Sequence, residues 1–118
     1  MKPGYFKELT QNVSQQLATL RKNQPQVLDA FGKLVQSTAA DGELDKKTKE
    51  MIALGIAIAI RCDDCIAFHV KALVELGMSR AELEEVVGTA VYMGGGPSLM
   101  YSTHALQAFD DFSENNPA

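Results

Sequence analysis

Several things on which common protein classes depend are scarce in this sequence. Only two of its 118 residues are cysteine, two are histidine and four proline, and tryptophan is absent. So low a cysteine count excludes a disulfide-built scaffold. Positive charge is also short: eleven Lys and Arg face fifteen Asp and Glu, a net charge of -4. That balance repels phosphate backbones and anionic membrane surfaces, so neither nucleic acid nor a membrane is an expected partner. The opening residues MKPGYFKELTQ lack the unbroken apolar stretch of a signal peptide. The longest apolar run, Met51 to Ile60, is too short to span a bilayer. A cytoplasmic location is therefore expected. Strand-like alternation, hairpin dipeptides, internal repeats and linkers are missing as well, which leaves helices.

What is present fits an ordinary globule, with 46% apolar and 22% charged residues. The length suits one domain over residues 1–118, with only the tail after Phe112 expected to be loose. Apolar residues recur at helical spacing, and an all-α compact bundle of about six helices is predicted. Phe6, Leu9, Val13, Leu17 and Leu20 stripe a first helix that stops near Asn23, because Pro25 follows. Pro25 opens a second helix with Val27, Leu28, Phe31, Leu34 and Val35 on one face, ended by Asp41-Gly42. Asp45 is a plausible N-cap for a third. From Met51 to Ile60 that helix is apolar on every side, as expected of a helix covered all round. So small a domain can hardly surround it alone, so a homo-oligomer is expected.

A fourth helix spans about Cys62 to Leu76 and stops at Gly77. Ser79 and Glu82 form a capping box for a fifth, with Met78 and Leu83 as its hydrophobic staple and Leu83, Val86, Val87, Ala90 and Val91 facing inward. The run Gly94-Gly95-Gly96-Pro97 breaks the chain, and Pro97 is placed to start a last helix carrying Leu99, His104, Leu106 and Phe109. The glycine run follows a helix and lacks the Gly-Lys-Ser/Thr ending of a phosphate-binding loop, so a turn with closely packed bare backbone is the better reading.

The cysteines ask for a chemical explanation. A staple between neighbouring helical turns closes too short a loop to stabilise much, and in a reducing compartment a CxxC pair points to catalysis or metal binding. On a helical wheel, Cys62, Cys65, Ile66, His69, Leu73 and Leu76 fall within an arc of roughly 100 degrees, whereas Asp63, Asp64, Lys71 and Glu75 point elsewhere. Residues three apart on a helix are close enough for a disulfide to form and break. The helix N-terminus favours thiolate over thiol, most strongly at Cys62. His69, one turn after Cys65, can act as a base toward that thiol. The two effects favour different cysteines as the attacking one. Glu50 lies at the edge of the apolar helix, and antiparallel packing of the two helices would bring it near Cys65 to His69 or beyond; on spacing alone a solvated charge is the simpler reading. His104 is a weaker candidate to line the same pocket.

Glu50, eleven intervening residues, Cys62-Asp63-Asp64-Cys65, three more residues and His69 together resemble the signature of the alkylhydroperoxidase D-like branch of the carboxymuconolactone decarboxylase superfamily. The resemblance continues through IAIAIRCDDCIAFHVKAL and VYMGGGPSLMYSTHALQAF, covering about residues 42–112. It implies an all-helical fold, assembly into trimers or hexamers, and cofactor-free hydroperoxide reduction. On this resemblance Cys65 attacks the hydroperoxide and becomes a sulfenic acid, and Cys62 resolves it as a disulfide. His69 and Glu50 manage the protons, and a lipoyl or thioredoxin-like dithiol resets the pair. One position departs from the pattern. The family's peroxidases carry a histidine before the second cysteine, and Asp64 stands there, unable to donate a cationic hydrogen bond; another disulfide or an electrophile is then an alternative substrate.

Three other readings compete. Cys62, Cys65 and His69, with Glu50 or His104, offer a zinc-type ligand set, although everything but the fourth ligand follows one continuous helix. The decarboxylase side of the superfamily acts on small lactone acids and needs no cysteine pair. Finally, the cysteines could be small buried hydrophobes of a non-catalytic oligomeric module.

Overall fold

The computed structural model describes residues 1–113 and consists of six α-helices, with no strand among the described residues. They are α1 (Tyr5–Asn23), α2 (Pro25–Ala39), α3 (Lys46–Ala59), α4 (Asp63–Glu75), α5 (Arg80–Gly94) and α6 (Gly96–Ser113). Helix α6 is regular through Ser113, and the rest of the tail expected to be loose lies outside the described residues. No helix among the described residues is long and apolar enough to cross a membrane.

Helices α3, α4, α6 and α5 form a four-cornered body in which α3 and α6 each touch both α4 and α5, while α4 and α5 do not meet. Leu54 and Ile58 of α3, Ile66, Val70 and Leu73 of α4, and Leu83 of α5 fill its interior. Helix α6 meets them with small side chains, Ser98, Ser102, Ala105 and Ala108, all buried, which lets its backbone approach closely. The chain does not surround the apolar α3 by itself, as its small size led one to expect. Leu54, Ala57 and Ile58 are buried, but Ile52, Ile56 and Ile60 are 50%, 56% and 63% exposed. Hydropathy marks α3 as needing cover without saying that this chain provides it on one face only. Leu76, on the α4 stripe with the cysteines and expected to face inward, lies exposed, as does Leu99 of α6.

Local signals set the helix ends. The Asp45 side chain accepts the Thr48 N–H at 2.8 Å, and the Ser79–Glu82 capping box closes in both directions. Met78 and Leu83 are both buried, as a staple requires. Gly77 at φ 85° closes α4 with paired bonds, Met78 N–H to Leu73 O and Gly77 N–H to Val74 O. At Gly94 a Cβ would run into the buried Ser98 side chain, which accounts for bare backbone at that turn.

Helix α1 is capped by a residue from the far end of the chain. The buried Asp111 carboxylate of α6 accepts the Gly4 N–H at 2.8 Å and the Phe6 N–H at 2.9 Å. This docks Phe6 and Thr10 into the body, whereas Leu17 and Leu20 remain exposed. Pro25 starts α2 as expected, yet α2 buries no residue, and Val27, Phe31, Leu34 and Val35 face outward.

Candidate functional site

The site begins at the corner between α3 and α4. Helix α3 ends in a Schellman motif, in which Cys62 N–H bonds to Ala57 O and Arg61 N–H to Ile58 O, both at 3.1 Å. The residue in the left-handed position of this motif is Arg61, at φ 62°, where glycine is usual. This tight corner makes Cys62 the N-cap of α4, and the Cys65 N–H donates to Cys62 Sγ at 3.2 Å. This helix-terminal amide, which has no carbonyl partner within the helix, would support negative charge on that sulfur once the disulfide is opened. Cys62 and Cys65 are joined by a disulfide, with Cα atoms 5.3 Å apart. Both are partly buried.

Because the corner is tight, α3 and α4 run back along each other and bring Glu50 to His69. Glu50 Oε1 lies 2.6 Å from His69 Nδ1, with the Glu50 side chain 17% exposed. With Nδ1–H donating to the carboxylate, Nε2 is left as the acceptor, which is the tautomer a base needs. Ile66, Ala67 and Val70, in the same stretch of α4, are fully buried. The arrangement of paired sulfurs, a carboxylate-held imidazole one turn away and an amide on one sulfur can generate a thiolate and cycle it through a disulfide.

The two weaker candidates fare differently. Asp64 is exposed and joins no partner among the described residues. His104 of α6 pairs with Asp63, beside Cys62 in sequence: His104 Nδ1 lies 2.6 Å from Asp63 Oδ1. Asp63 was expected to point away from the reactive stripe, and it does, but toward α6. Sequence offered no signal for this pair, since periodicity relates residues within a helix and not across 41 positions. The five side chains suggested for a zinc-type set do not gather at one point. Each histidine is held by its own carboxylate, and no three His, Cys, Asp or Glu among the described residues are grouped to hold a metal ion.

Against known proteins, the model of the carboxymuconolactone decarboxylase family matches residues 25–108. A carboxymuconolactone decarboxylase family protein of Legionella pneumophila has a crystal structure similar to this one, with TM-score 0.91 and 50% identity over 93% of this chain and 98% of that one. Another from Thermotoga maritima, for which an involvement in antioxidative response has been put forward, gives TM-score 0.81 and 26% identity over 92% of each chain. An uncharacterized protein of Cupriavidus necator is 36% identical over 98 residues, covering 83% of this chain and 87% of that protein.

Proposed function

This chain belongs to the carboxymuconolactone decarboxylase family, and from that premise we propose that it is a thiol-dependent peroxidase of the alkylhydroperoxidase D-like kind, reducing hydroperoxides at the expense of a dithiol. The observation that carries this reading is the 2.6 Å pairing of Glu50 with His69 beside the Cys62–Cys65 pair. A cysteine pair kept as a structural staple has no use for a positioned base. The decarboxylase chemistry of the wider superfamily has no use for the cysteines.

In the proposed cycle His69 Nε2 takes the Cys65 thiol proton, while Glu50 holds the ring and stabilises the imidazolium. The Cys65 thiolate attacks one peroxide oxygen and the O–O bond breaks. The alcohol leaves with a proton returned by His69, and Cys65 remains as a sulfenic acid. The Cys62 thiolate, supported by the Cys65 amide, attacks Cys65 Sγ and expels the hydroxyl, which leaves as water with the proton that the Cys62 thiol gave up. An external dithiol, of lipoyl or thioredoxin-like type, then opens the disulfide by attack on Cys65 Sγ with Cys62 as the leaving thiolate, and its second thiol releases Cys65. The sum is ROOH plus a dithiol giving ROH, water and a disulfide. The sequence is balanced without a cofactor.

A homo-oligomer, trimer or hexamer, belongs to the same proposal. An apolar groove of about 690 Å³ runs between α3 and α5, lined by Ile52, Ile56, Val86 and Met93, and it is the face of α3 that the chain leaves bare.

The test is trapping of the intermediate. Reduced Cys62→Ser, given one equivalent of an organic hydroperoxide, is expected to consume it and accumulate a sulfenic acid at Cys65 that reacts with dimedone, while Cys65→Ser stays inert. Equal inertness of both variants and of the parent would remove the peroxidase reading.

A further inference from the structure

The Asp63–His104 pair takes no part in the cycle above, yet one of its members, Asp63, is the residue next to Cys62. It lies in the first turn of α4. Two opposed effects therefore act on Cys62. The Cys65 N–H at 3.2 Å favours its thiolate, and a carboxylate on the next residue disfavours it. His104 decides between them. Its ring is fixed on α6 by Tyr101, with centroids 4.6 Å apart, and by Phe6 at 6.4 Å. From there Nδ1 meets Asp63 Oδ1 at 2.6 Å. The bond draws the carboxylate toward α6, and a proton on the second ring nitrogen would cancel its charge.

We propose that His104 is a positioning residue for Cys62, acting through Asp63: it holds and balances the carboxylate so that Cys62 ionises readily. This deepens the peroxidase reading and rests on it in one respect, that Cys62 serves as the resolving and leaving thiolate. The other ionisable groups on the elements packed here include Arg61 in the corner, Asp64, Lys71 and Glu75 on α4, Tyr5, Lys7 and Glu8 on α1, and Tyr101 on α6, while Glu50 is committed to His69, Asp110 to Arg80 and Asp111 to the α1 amides. The partner that meets the Asp63 carboxylate at hydrogen-bond distance is His104. A structural role alone would equally place a histidine there, so the test must read the sulfur.

The rate at which iodoacetamide alkylates Cys62 is measured against pH in reduced Cys65→Ser protein, in His104→Gln on that background, and in Asp63→Asn/His104→Gln. The pair is a quarter or more exposed on both sides, so neither change buries a bare charge, and circular dichroism checks the fold; His104→Asn repeats the test with a second side chain. Loss of His104 is expected to raise the midpoint of the alkylation profile by about one pH unit, slowing the reaction about tenfold below it. Removing Asp63 as well is expected to bring the midpoint back. An unmoved midpoint in the His104 variants, whatever their melting temperature, overturns the proposal, as does a rise that persists without Asp63. Alkylation involves no peroxide, so failure here and failure of the peroxidase reading are separate results.

Discussion

Glu50 and His69 are the residues on which the chemistry turns, and each has a separable effect. His69→Gln is expected to slow the first reaction of reduced protein with hydroperoxide by roughly 10²–10⁴-fold, the range of a lost general base. Glu50→Gln, which keeps a hydrogen-bond acceptor without the charge, is expected to slow it less, about 10–100-fold. Stopped-flow peroxide consumption measures both, and thermal melts should shift little because the pair is only partly buried. The nearness of these residues was partly legible before the structure for a geometric reason, while a role for Glu50 in the chemistry came from the family resemblance. A short corner between helices fixes their antiparallel pairing, so the distance of Glu50 from the corner can be matched to that of His69. No such relation links Asp63 to His104, whose meeting depends on how α6 is laid against α4. Asp64 was singled out by position in the motif, and the helix turns it to solvent.

The helix ends carry predictions of another kind. Arg61 holds a left-handed conformation at φ 62°, a cost of about 1–2 kcal/mol for a side chain that glycine would not incur. Arg61→Gly is expected to stabilise the fold by roughly 1 kcal/mol, offset in part by loss of a cation at the α3 C-terminus, and calorimetry would register a rise of a few degrees. At the other end of α3, hydrogen bonds from Thr48 hold the Asp45 carboxyl below its ordinary value. The Ser79 amide, followed by Lys47, does the same for Glu82. Both groups bind fewer protons folded than unfolded at acid pH. Their contribution is complete above the unfolded carboxyl values, near pH 4, and is lost as pH falls through the lowered folded values. Urea melts should therefore weaken on acidification in that window, and less so in Asp45→Asn. These caps could be read directly because donor and acceptor lie three residues apart. The cap of α1 could not, since it comes from Asp111, 105 residues beyond Phe6. Asp111→Ala would leave amides and the Gln107 side chain unpaired in a buried place, at a cost of about 2–3 kcal/mol.

For the molecule as a whole, the exposed apolar faces of α2 and α3 show where the sequence pattern and the single chain part ways. Val27, Phe31, Ile52 and Ile56 follow helical periodicity as faithfully as the core does, and periodicity cannot say whose core they belong to. Light scattering is expected to find a multiple of the chain mass, and Ile56→Glu, placing a charge in the α3–α5 groove, to shift it toward monomer; a monomeric parent would refute the oligomer. The site itself lies at the opposite edge of α3's buried face, built from α3 and α4 of one chain. The most direct measurement of its function is a titration of fully reduced parent protein with an organic hydroperoxide, followed by thiol counting and peptide mass mapping. One equivalent per chain should be consumed within the mixing experiment, with both thiols lost together and Cys62 linked to Cys65. Thiols that persist through excess hydroperoxide, or peroxide loss without that disulfide, would contradict the account.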